Sequence, residues 1–394
     1  MKISFTLPKK CELLQFGGSS VSEIFSELST RPPTLLPSAK ECINFPILLI
    51  AILTGHFDRW GYYKTFVKMC RAKLIVVWID TNIEAYQLEY HLDVPVWCFQ
   101  NGHRLEISPA NSVGLLENLK AMRREATPHV SKYFTFGPAS TQLLSAYVKS
   151  DFCNVGSLRL NQYLKTRRPL NLPLARNGVK SIGFIVSFPN KIDIPGGRVV
   201  GNDVEFARVR GTTVSYDRYF WIETVVARAL SVFAEKLDFT AAVIGKRSIR
   251  DSTECDFFNS LSQQVPLPVL GHEKGDGYAL ADTFDYLIAV DSTLGYEMLG
   301  LGKRVGFVCS RFRALGIPFP DEQVGHSLNW PAEGPFWTSR FQIDPVMDFF
   351  NRFIEITDAE WDIVQHEFVS QLIHVDEGNE YIKILLSQQC RDIS

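Results

Sequence analysis

The sequence predicts an α/β protein with two doubly wound domains, and three observations lead to this prediction. Short apolar runs alternate with helix-like segments along most of the chain, which is typical of parallel sheets covered by helices on both faces. The chain has 394 residues, more than one hydrophobic core usually organises. The alternation stops once, at residues 161–180, where Pro, Asn and basic residues accumulate as they do in linkers.

These features divide the chain into four predicted segments. Residues 1–160 form a first Rossmann-like domain, 161–180 a linker, 181–345 a second Rossmann-like domain, and 346–394 a group of C-terminal helices. In such domains the carboxyl ends of the strands and the amino ends of the helices bind ligands. We therefore expect the two domains to face a cleft.

In the first domain the apolar runs predict strands, and the segments between them predict helices. The predicted strands are KISFTL, FPILLIAIL, KLIVVWID, VPVWCFQNG, KYFTFG and DFCNVGS. The predicted helices are DRWGYYKTFVKMCRA, IEAYQLEYHL, SVGLLENLKAMRR and PASTQLLSAYV. FPILLIAIL is about half the length of a membrane-spanning helix and is interpreted as a central strand. The GGSS stretch after Phe16 is not expected to follow a buried strand, which makes it poor evidence for a dinucleotide site.

The second domain repeats the alternation. Its predicted strands are SIGFIVSF, TAAVIGKR, VPLPVLG, YLIAVDS and RVGFVC, and its predicted helices are YFWIETVVARALSVFAEKL, ECDFFNSLSQQ and GYALADTF. The apolar face of the longest helix is expected to contain Trp221, Val225, Leu230 and Phe233. A long polar loop is expected before that helix and a loop-like segment at 311–340, and helices around 346–353 and 358–372 close the chain.

The composition is that of a folded protein without a polyanionic partner. Hydrophobic residues make up 46% and charged residues 21% of the chain, which excludes a disordered protein. The net charge of -2 predicts no nucleic-acid partner. The eight cysteines include no C-x-x-C pair and are interpreted as reduced core residues. No export signal is recognised at the N-terminus, so a cytoplasmic location is expected.

The stretch YLIAVDSTLGYEMLGLGKRVGFVC predicts a strand, a polar turn, a short helix and a second strand. Backbone N–H groups at the start of the helix, with the hydroxyls of Ser292 and Thr293, suit phosphate oxygens. Gly295 permits close approach, Glu297 is placed to accept two ribose hydroxyls, and Asp291 ends its strand. The alternative, which the sequence leaves open, is that the polar residues of the turn only cap the helix.

The same stretch resembles a known family of enzymes. DSTLGYEMLGLGKRVGF is similar to the [DT]-S-x-x-G-[YF]-E-x-L-x-x-G-K-x-V segment of bacterial surface-polysaccharide glycosyltransferases of the GT-B fold, which include capsule and lipopolysaccharide O-antigen enzymes. VWIDTN, CFQNGHR, YFTFGPAS and NVGSLRLN resemble, in this order, blocks of the surface carbohydrate biosynthesis proteins. Together these matches extend from about Trp78 to Val308.

The resemblance implies that the C-terminal domain holds a nucleotide-activated sugar as a substrate and that no other cofactor is required. It implies an acceptor, a surface glycan or its lipid-linked precursor, in the N-terminal domain. Ser292, Thr293 and Gly295 then fall at the phosphate turn and Glu297 at the ribose position. Bacterial β-Kdo transferases, which use a CMP-linked donor, are among the relatives implied, and a UDP-sugar is the other donor type expected. Acceptors of this class imply association with the inner face of the membrane.

Further candidates follow other strands. In QNGHR, His103 is a candidate general base because its pKa lies near neutrality, and Asn101 and Arg104 are candidate substrate ligands. In IGKRS, Lys246 and Arg247 are candidates for neutralising the leaving phosphate. A loop histidine bonded to a carbonyl, and solvated surface charge, are the respective alternatives.

The remaining candidates lie in loops. His272, in LGHEKGDGY, is the candidate ligand of the nucleotide base. Asp203 and Asp217, in the long polar segment, are candidate carboxylates for catalysis as base or nucleophile, as is Glu205. In VGSLRLN, Ser157 and Arg159 either line the cleft and bind substrate or stabilise the interdomain crossover.

No phosphate loop, dinucleotide fingerprint, zinc pair or D-x-D motif is found, so a metal-independent transfer is predicted. The alternatives are a nucleotide-sugar 2-epimerase or a polyol-phosphate transferase on the same fold, or a binding or scaffold protein without catalysis. Aromatic and basic residues in SRFRALGIPF, residues 310–319, suit either a lipid surface or an interdomain contact.

Overall fold

The computed structural model describes most of the chain, and what it describes forms two units. The described residues are 2–18, 21–29, 32–37, 42–102, 115–124, 126–168, 179–186, 199–200, 203–209, 212–246, 254–256, 258, 267–271, 277–316 and 330–391. For 117, 199–200, 203–209, 212–213, 216–217, 312 and 390–391 the backbone alone is described. Unit 1 comprises Met1–Gly102, Leu115–Lys165 and His374–Ser394, and unit 2 comprises His103–Gly114 and Thr166–Ile373.

Unit 1 contains a six-stranded sheet in which every neighbouring pair is parallel. The strands of unit 1 are β1 Lys2–Ser4, β2 Leu13–Phe16, β3 Thr34–Leu36, β4 Cys42–Asn44, β5 Leu74–Val77, β6 Val96–Phe99, β7 His129–Thr135 and β8 Lys149–Asn154. The order in the main sheet is β3-β2-β5-β6-β7-β8, which reverses direction between β2 and β5 as in a doubly wound fold. β1 and β4 form a separate parallel pair.

Two predictions about the start of unit 1 are wrong. The KISFTL strand was expected in the main sheet, but β1 pairs with β4 alone. No buried strand was expected before GGSS, yet all four residues of β2 are buried. The polar Gln15 interrupts the apolar signal of β2; its Nε2 donates to the carbonyl of Gly18 at 2.6 Å, and its Oε1 accepts from the Ser22 hydroxyl at 2.9 Å. Because both ends of the amide are satisfied, Gln15 is buried at little cost.

Helices cover both faces of this sheet. The first helices are α1 Ser22–Leu28, α2 Phe45–Leu53, α3 Arg59–Cys70, α4 Ala85–Leu92, α5 Leu115–Met122, α6 Pro138–Ser145 and α7 Leu158–Lys165. One hydrophobic cluster joins α3, α4 and α5 to the side chains of one sheet face. A second cluster joins α1 and α7 to the other face, with Phe25 against Phe99 at 5.2 Å between ring centroids.

The prediction of a central strand at FPILLIAIL is wrong, because this run forms α2. A uniformly apolar run has no period that separates strand from helix. The flanking residues decide the outcome. The Asn44 side chain caps the helix by accepting a hydrogen bond from the Ile47 amide at 3.2 Å, and Pro46 occupies the first turn. The buried residues Ile47 and Ala51 are four apart, as one helix face requires.

Unit 2 contains a second six-stranded parallel sheet and a small antiparallel one. Its strands are β9 Ser181–Ile185, β10 Val199–Val200, β11 Asp203–Val209, β12 Thr212–Ser215, β13 Thr240–Ile244, β14 Val269–Leu270, β15 Tyr286–Ala289, β16 Arg304–Val308 and β17 Trp337–Thr338. The parallel order is β14-β13-β9-β15-β16-β17, and β10-β11-β12 form the antiparallel sheet. A polar loop was predicted where the antiparallel sheet lies. Its Val- and Thr-rich strands alternate with polar residues and carry no long apolar run.

Helices follow the strands of unit 2. They are α8 Tyr216–Tyr219, α9 Trp221–Leu237, α10 Gly277–Asp282, α11 Thr293–Gly300, α12 Arg311–Ala314, α13 Ile343–Glu355, α14 Asp358–Val364, a π-helical turn at Gln365–Val369, and α15 Ser370–Leu372. The segment 311–340, predicted as loop-like, therefore also contains α12 and the edge strand β17. Trp221 was expected on the apolar face of α9 but is 41% exposed, and Ile222 and Glu223 are buried instead.

The chain then returns to unit 1. A 3₁₀ turn at Glu377–Asn379 and α16 Glu380–Arg391 follow, and Ile382 and Leu386 of α16 join the same cluster as Phe25. Residues 346–394 were expected to form one group of helices, whereas the structure divides them between the two units at Ile373. None of the helices in the described part of the chain is long and apolar enough to cross a bilayer.

Asn161 and Gly156 determine where the C-terminal segment packs against unit 1. Asn161 is fully buried; its Nδ2 donates to the carbonyl of Val155 at 2.8 Å and to Oδ1 of Asn379 at 3.0 Å, and its Oδ1 accepts from the Asp376 amide at 3.0 Å. Gly156 has a φ of 78°, and a Cβ there would overlap the carbonyl oxygen of His374. Only glycine therefore fits where the C-terminal segment crosses this turn.

We expect Gly156→Ala to lower the free energy of unfolding of unit 1 by about 3–5 kcal/mol, through left-handed strain and overlap with a backbone carbonyl. Gly302→Ala is the matched control, because Gly302 also has a positive φ (89°) but no atom lies within 4 Å of its Cβ position. Its expected cost is about 1 kcal/mol, from strain alone. Urea unfolding followed by fluorescence measures both changes. Equal losses in the two variants would contradict the crossing at Gly156.

Candidate functional site

The reversal point of the unit 2 sheet coincides with the turn singled out in the sequence. Numbered along the chain, β9 is the first strand of this sheet and β15 the fourth, and they lie side by side at the centre. Strand order runs outward in opposite directions from this pair. In doubly wound sheets, ligands bind beyond the carboxyl ends of the strands at such a point. The turn between β15 and α11 lies there.

The turn presents polar groups at this edge. Asp291, Ser292, Thr293 and Leu294 are partly exposed, and α11 begins at Thr293 with Ser292 in the N-cap position. Within the described residues, the Ser292 side chain makes no hydrogen bond to the N–H groups of the helix. The helix-cap alternative therefore does not account for the Ser292 hydroxyl. The first N–H groups of any helix lack partners inside the helix and attract anions.

Gly295 serves helix packing. A Cβ at this position would lie 2.8 Å from the Cβ of Ala289 and 3.1 Å from Cζ of Phe307. The absence of a side chain lets α11 approach β15 and β16 closely, and this places its amino end directly above the sheet edge. A glycine holds the helix against the sheet in the same way in dinucleotide-binding turns.

A buried arginine holds Asp291. The Arg311 guanidinium donates from Nε and Nη2 to the two carboxylate oxygens of Asp291, at 2.7 and 3.0 Å. It donates from Nη1 and Nη2 to those of Glu223, at 2.9 and 2.5 Å. Nη1 also donates to the carbonyl of Tyr219 at 2.8 Å, and Arg311 is only 3% exposed. We call Arg311, Glu223 and Asp291 the arginine network.

The arginine network has a defined electrostatic character. Two carboxylates face one guanidinium, so the ionised network carries a single net negative charge. Burial raises the pKa of Glu223 from 4.5 to about 7, against the opposing attraction of Arg311. The carboxylates hold the pKa of Arg311 above its ordinary value, although burial opposes this. Both carboxylate oxygens of Asp291 accept hydrogen bonds from Arg311, which positions the turn, and a ligand-binding role for Asp291 stays a prediction.

The other predicted donor ligands in unit 2 are placed as follows. Glu297 is 6% exposed on the buried side of α11, and its ribose role stays a prediction. Lys246 follows β13 with an exposed side chain, and its amide donates to Oε1 of Glu254 at 3.0 Å. Glu254 is buried and fixes this turn. Arg247 and His272 lie outside the described residues.

In unit 1, Asn101 follows β6 and is partly exposed, while His103 and Arg104 lie outside the described residues. The preceding residue, Gln100, is buried and joins two loops. Its Nε2 donates to the carbonyl of Gly102 at 2.9 Å and to the Ser140 hydroxyl at 3.2 Å, and its Oε1 accepts from the Phe136 amide at 2.8 Å. The start of QNGHR is therefore rigidly anchored to the turn that follows β7.

The described contacts of Ser157 and Arg159 lie within unit 1. Ser157 is buried, and its hydroxyl accepts from the Leu160 amide at 3.4 Å at the start of α7. Arg159 is exposed and lies over the ring of Trp78 at 5.6 Å. Both residues flank the crossing at Gly156. A substrate role for either stays a prediction.

The acidic candidates are placed by the backbone alone. Asp203 begins β11, where it pairs with Val200, and Asp217 lies in α8, two residues before Tyr219. Glu205 lies opposite Ser215 in the same antiparallel sheet. Their side chains are outside what the structure describes. α8 nevertheless leads directly into the Tyr219 carbonyl that the arginine network uses.

The lipid-surface interpretation of residues 310–319 is not supported by their described part. Ser310, Arg311 and Leu315 are buried, and Nη1 of Arg313 donates to the Ser339 hydroxyl at 2.7 Å. Residues 317–319 lie outside the description. Arg311 and Glu223 are the site residues that sequence reasoning missed. The only signal was a charged residue on the buried face of α9, which a strict apolar pattern does not contain.

Comparison with known proteins gives a family and a fold. The sequence matches the model of a family described as "putative O-antigen biosynthesis protein" over residues 96–390, about three quarters of the chain. No curated protein sequence matches it.

Solved structures resemble the chain over nearly its whole length. The wall teichoic acid polymerase TagF has a TM-score of 0.54 and 10% identity, with 98% of this chain and 90% of that chain covered. The calicheamicin glycosyltransferase CalG4 has a TM-score of 0.50 and 10% identity, covering 98% and 100%. A "putative UDP-N-acetylglucosamine 2-epimerase" from Listeria monocytogenes has a TM-score of 0.54 and 9% identity, covering 98% and 96%. The prediction of two parallel α/β units of the GT-B type is confirmed.

We expect Arg311→Ala to lower the free energy of unfolding of unit 2 by about 3–5 kcal/mol, because it leaves two carboxylates without their cation, one of them fully buried. Arg228→Ala, which removes an exposed arginine from α9 of the same unit, is the control. The expected change is within about 0.5 kcal/mol. Chemical unfolding measures both variants. Comparable losses would show that the network does not hold unit 2 together.

The raised pKa of Glu223 predicts a pH dependence of a particular sign. A pKa raised on folding adds stability below the unfolded value, 4.5, and this contribution disappears as the pH rises to about 7. Relative to Glu223→Gln, the wild-type free energy of unfolding should therefore fall by roughly 3 kcal/mol across this window. Urea unfolding at a series of pH values measures the difference. A difference that does not change with pH would show that Glu223 stays ionised throughout.

Proposed function

The chain belongs to the O-antigen biosynthesis protein family, and from this premise we propose that it transfers a sugar from a nucleotide-activated donor to a bacterial surface glycan or its lipid-linked precursor. The observation that carries the proposal is the position of the turn between β15 and α11. It lies at the reversal point of the unit 2 sheet, where helix N–H groups and hydroxyls meet.

We propose that the phosphate or diphosphate of the donor binds the turn between β15 and α11. The N–H groups at the start of α11 and the hydroxyls of Ser292 and Thr293 receive phosphate oxygens, while the arginine network keeps Asp291 from repelling them. Lys246, which follows β13, adds an exposed positive charge, and Arg247 and His272, which lie outside the described residues, remain candidates. A CMP-linked Kdo and a UDP-sugar are both compatible with these groups, since the turn recognises the phosphate.

In the proposed reaction the bond between the anomeric carbon and the donor phosphate breaks, and the acceptor hydroxyl forms the new glycosidic bond. Negative charge develops on the departing nucleotide, and the helix amino end and Lys246 stabilise it. We propose that this charge is balanced without a metal ion. The acceptor hydroxyl loses its proton to a base, for which His103, Asp203 and Asp217 are the candidates. Unit 1 binds the acceptor through the segment that begins at Asn101.

The fold alone does not distinguish glycosyl transfer from epimerisation. A teichoic acid polymerase and an epimerase-like protein resemble the chain equally well, with TM-scores of 0.54. The family description favours transfer to a surface glycan over conversion of a free nucleotide sugar. Product analysis separates the two, because an epimerase alters the donor in the absence of any acceptor.

The donor site is tested by the melting temperature of the protein with CMP, CDP, UDP, GDP and their common sugar conjugates. We expect one nucleotide class to raise it, because a ligand that binds only the folded state stabilises that state. Lys246→Ala should weaken this ligand roughly ten-fold or more, since a charge-assisted hydrogen bond is lost, and leave the ligand-free melting temperature unchanged.

Lys236→Ala, an exposed lysine in the last turn of α9, is the control and should bind as the wild type does. If no nucleotide stabilises the protein even at high concentration, the donor site is wrong and a scaffold role replaces it. A nucleotide that stabilises the wild type but binds Glu297→Gln more weakly would support the ribose role of Glu297.

A further inference from the structure

Unit 1 carries a cluster of exposed apolar side chains far along the chain from the donor turn. They come from the first ten residues and from α2 with the turn after it. We call the following residues the apolar ridge: Ile3, Phe5, Leu7, Phe45, Leu49, Ile52, Leu53 and Phe57. Single exposed apolar residues are ordinary on protein surfaces, whereas contiguous groups mark interaction sites.

The α2 part of the ridge has helical geometry. All nine residues of α2 are apolar, so the helix has no polar face to turn toward water. Ile47 and Ala51 pack into the core of unit 1. The exposed residues lie at positions 45, 49, 52 and 53, spaced by three and four, and form one stripe on the outer side. A helix that is apolar all round is normally covered on every side.

The N-terminal strand extends this stripe. Ile3 lies in β1, Phe5 and Leu7 follow it, and all three side chains are exposed. The ring of Phe5 lies 5.7 Å from that of Phe45, which makes the two parts continuous. Hydrogen bonds of Asn44 connect the N-terminal segment to α2. Its Nδ2 donates to the carbonyl of Thr6 at 2.7 Å, its Oδ1 caps α2, and its amide donates to the Tyr62 hydroxyl at 2.9 Å.

Positive charge accompanies the ridge. Lys2, Lys9 and Lys10 are exposed on the same N-terminal segment, and among the described residues no ion pair involves them. Neither residues 2–11 nor residues 42–57 contain an Asp or a Glu. Three carboxylates adjoin these two segments. Glu12 pairs with Lys73 at 3.1 Å. Asp58 accepts a hydrogen bond from the Gly61 amide as the cap of α3, and Glu41 lies outside the described residues. An apolar surface with a basic margin is complementary to a layer with apolar chains beneath anionic groups.

We propose that the apolar ridge docks the protein on an anionic phospholipid bilayer, with its side chains among the acyl chains and the lysines at the headgroup phosphates. Phe5, Leu53 and Phe57 are 72%, 76% and 81% exposed, so they project from the surface. A fluid bilayer accommodates projecting side chains without a matching pocket. A second copy of the chain in a two-fold interface fits less well, because the lysine-bearing margins would meet each other. The family resemblance implies membrane association but identifies no surface for it. The docking proposal assigns the surface and the lipid charge it requires, and it needs neither donor nor acceptor.

The test is sedimentation of the full chain with vesicles of phosphatidylcholine, with and without phosphatidylglycerol, in the absence of any nucleotide. Wild-type protein should bind the anionic vesicles, more weakly at high salt. Leu49→Ser with Leu53→Ser should lower the partition at least ten-fold, because two leucines no longer enter the acyl region. Ile363→Ser with Ile384→Ser, two exposed isoleucines on α14 and α16, is the matched control and should bind as the wild type does.

The charge contribution is measured separately. Lys9→Gln with Lys10→Gln should weaken binding to anionic vesicles about five-fold per lysine and leave binding to neutral vesicles unchanged. Arg228→Gln with Lys236→Gln, which removes two exposed charges from α9, is the control. Unchanged melting temperatures establish that every variant is folded.

Two results would overturn the docking proposal. One is equal vesicle binding by the wild type and the ridge variants. The other is a lipid-free oligomer, seen by sedimentation velocity, that the ridge variants dissociate, because a second copy would then cover the ridge. Neither result bears on nucleotide binding, so failure here is distinguishable from failure of the proposed transfer.

Discussion

One buried guanidinium fixes the carboxyl edge of unit 2. Arg311 joins the end of β15, the start of α9 and its own helix through Asp291, Glu223 and the Tyr219 carbonyl. A buried charge is stable only beside groups of opposite charge or polarity at fixed positions. Separating these three elements would therefore leave a buried charge without its partners. The turn that we propose as the donor site is therefore held by a buried side chain. The position of the turn is set by the buried side chains beneath it, which water does not reach.

Unit 1 uses the same principle with neutral side chains. Gln100 joins the turns after β6 and β7, and Asn161 joins the start of α7 to the returning C-terminal segment. A buried amide that satisfies donors and acceptors at both ends specifies one arrangement of its neighbours. Glu254 beneath the Lys246 turn is the charged counterpart in unit 2. The loops at both sheet edges thus owe their positions to polar residues inside the protein.

Sequence pattern predicted the parallel strands β5, β6, β15 and β16, because each is an apolar run bounded by polar turn residues. It failed at α2, where nine apolar residues have no period, and at β10–β12, whose polar alternation resembles a loop. It also predicted the strand, polar turn and short helix around residues 291–295, while the donor role of that turn stays a proposal. It could not identify Arg311, since a basic residue after a strand looks like surface charge until its partners, 20 and 88 positions away, are known.

The return of the chain across Gly156 makes unit 1 discontinuous, and this orders events during synthesis. Ile382 and Leu386 complete the hydrophobic cluster that contains Phe25 and Trp97, but the ribosome makes them only after the whole of Thr166–Ile373. The sheet face that α1 and α7 cover therefore lacks the contribution of α16 until unit 2 has been translated. A segment made after unit 2 completes the unit begun before it, so the final packing step of unit 1 follows the synthesis of unit 2.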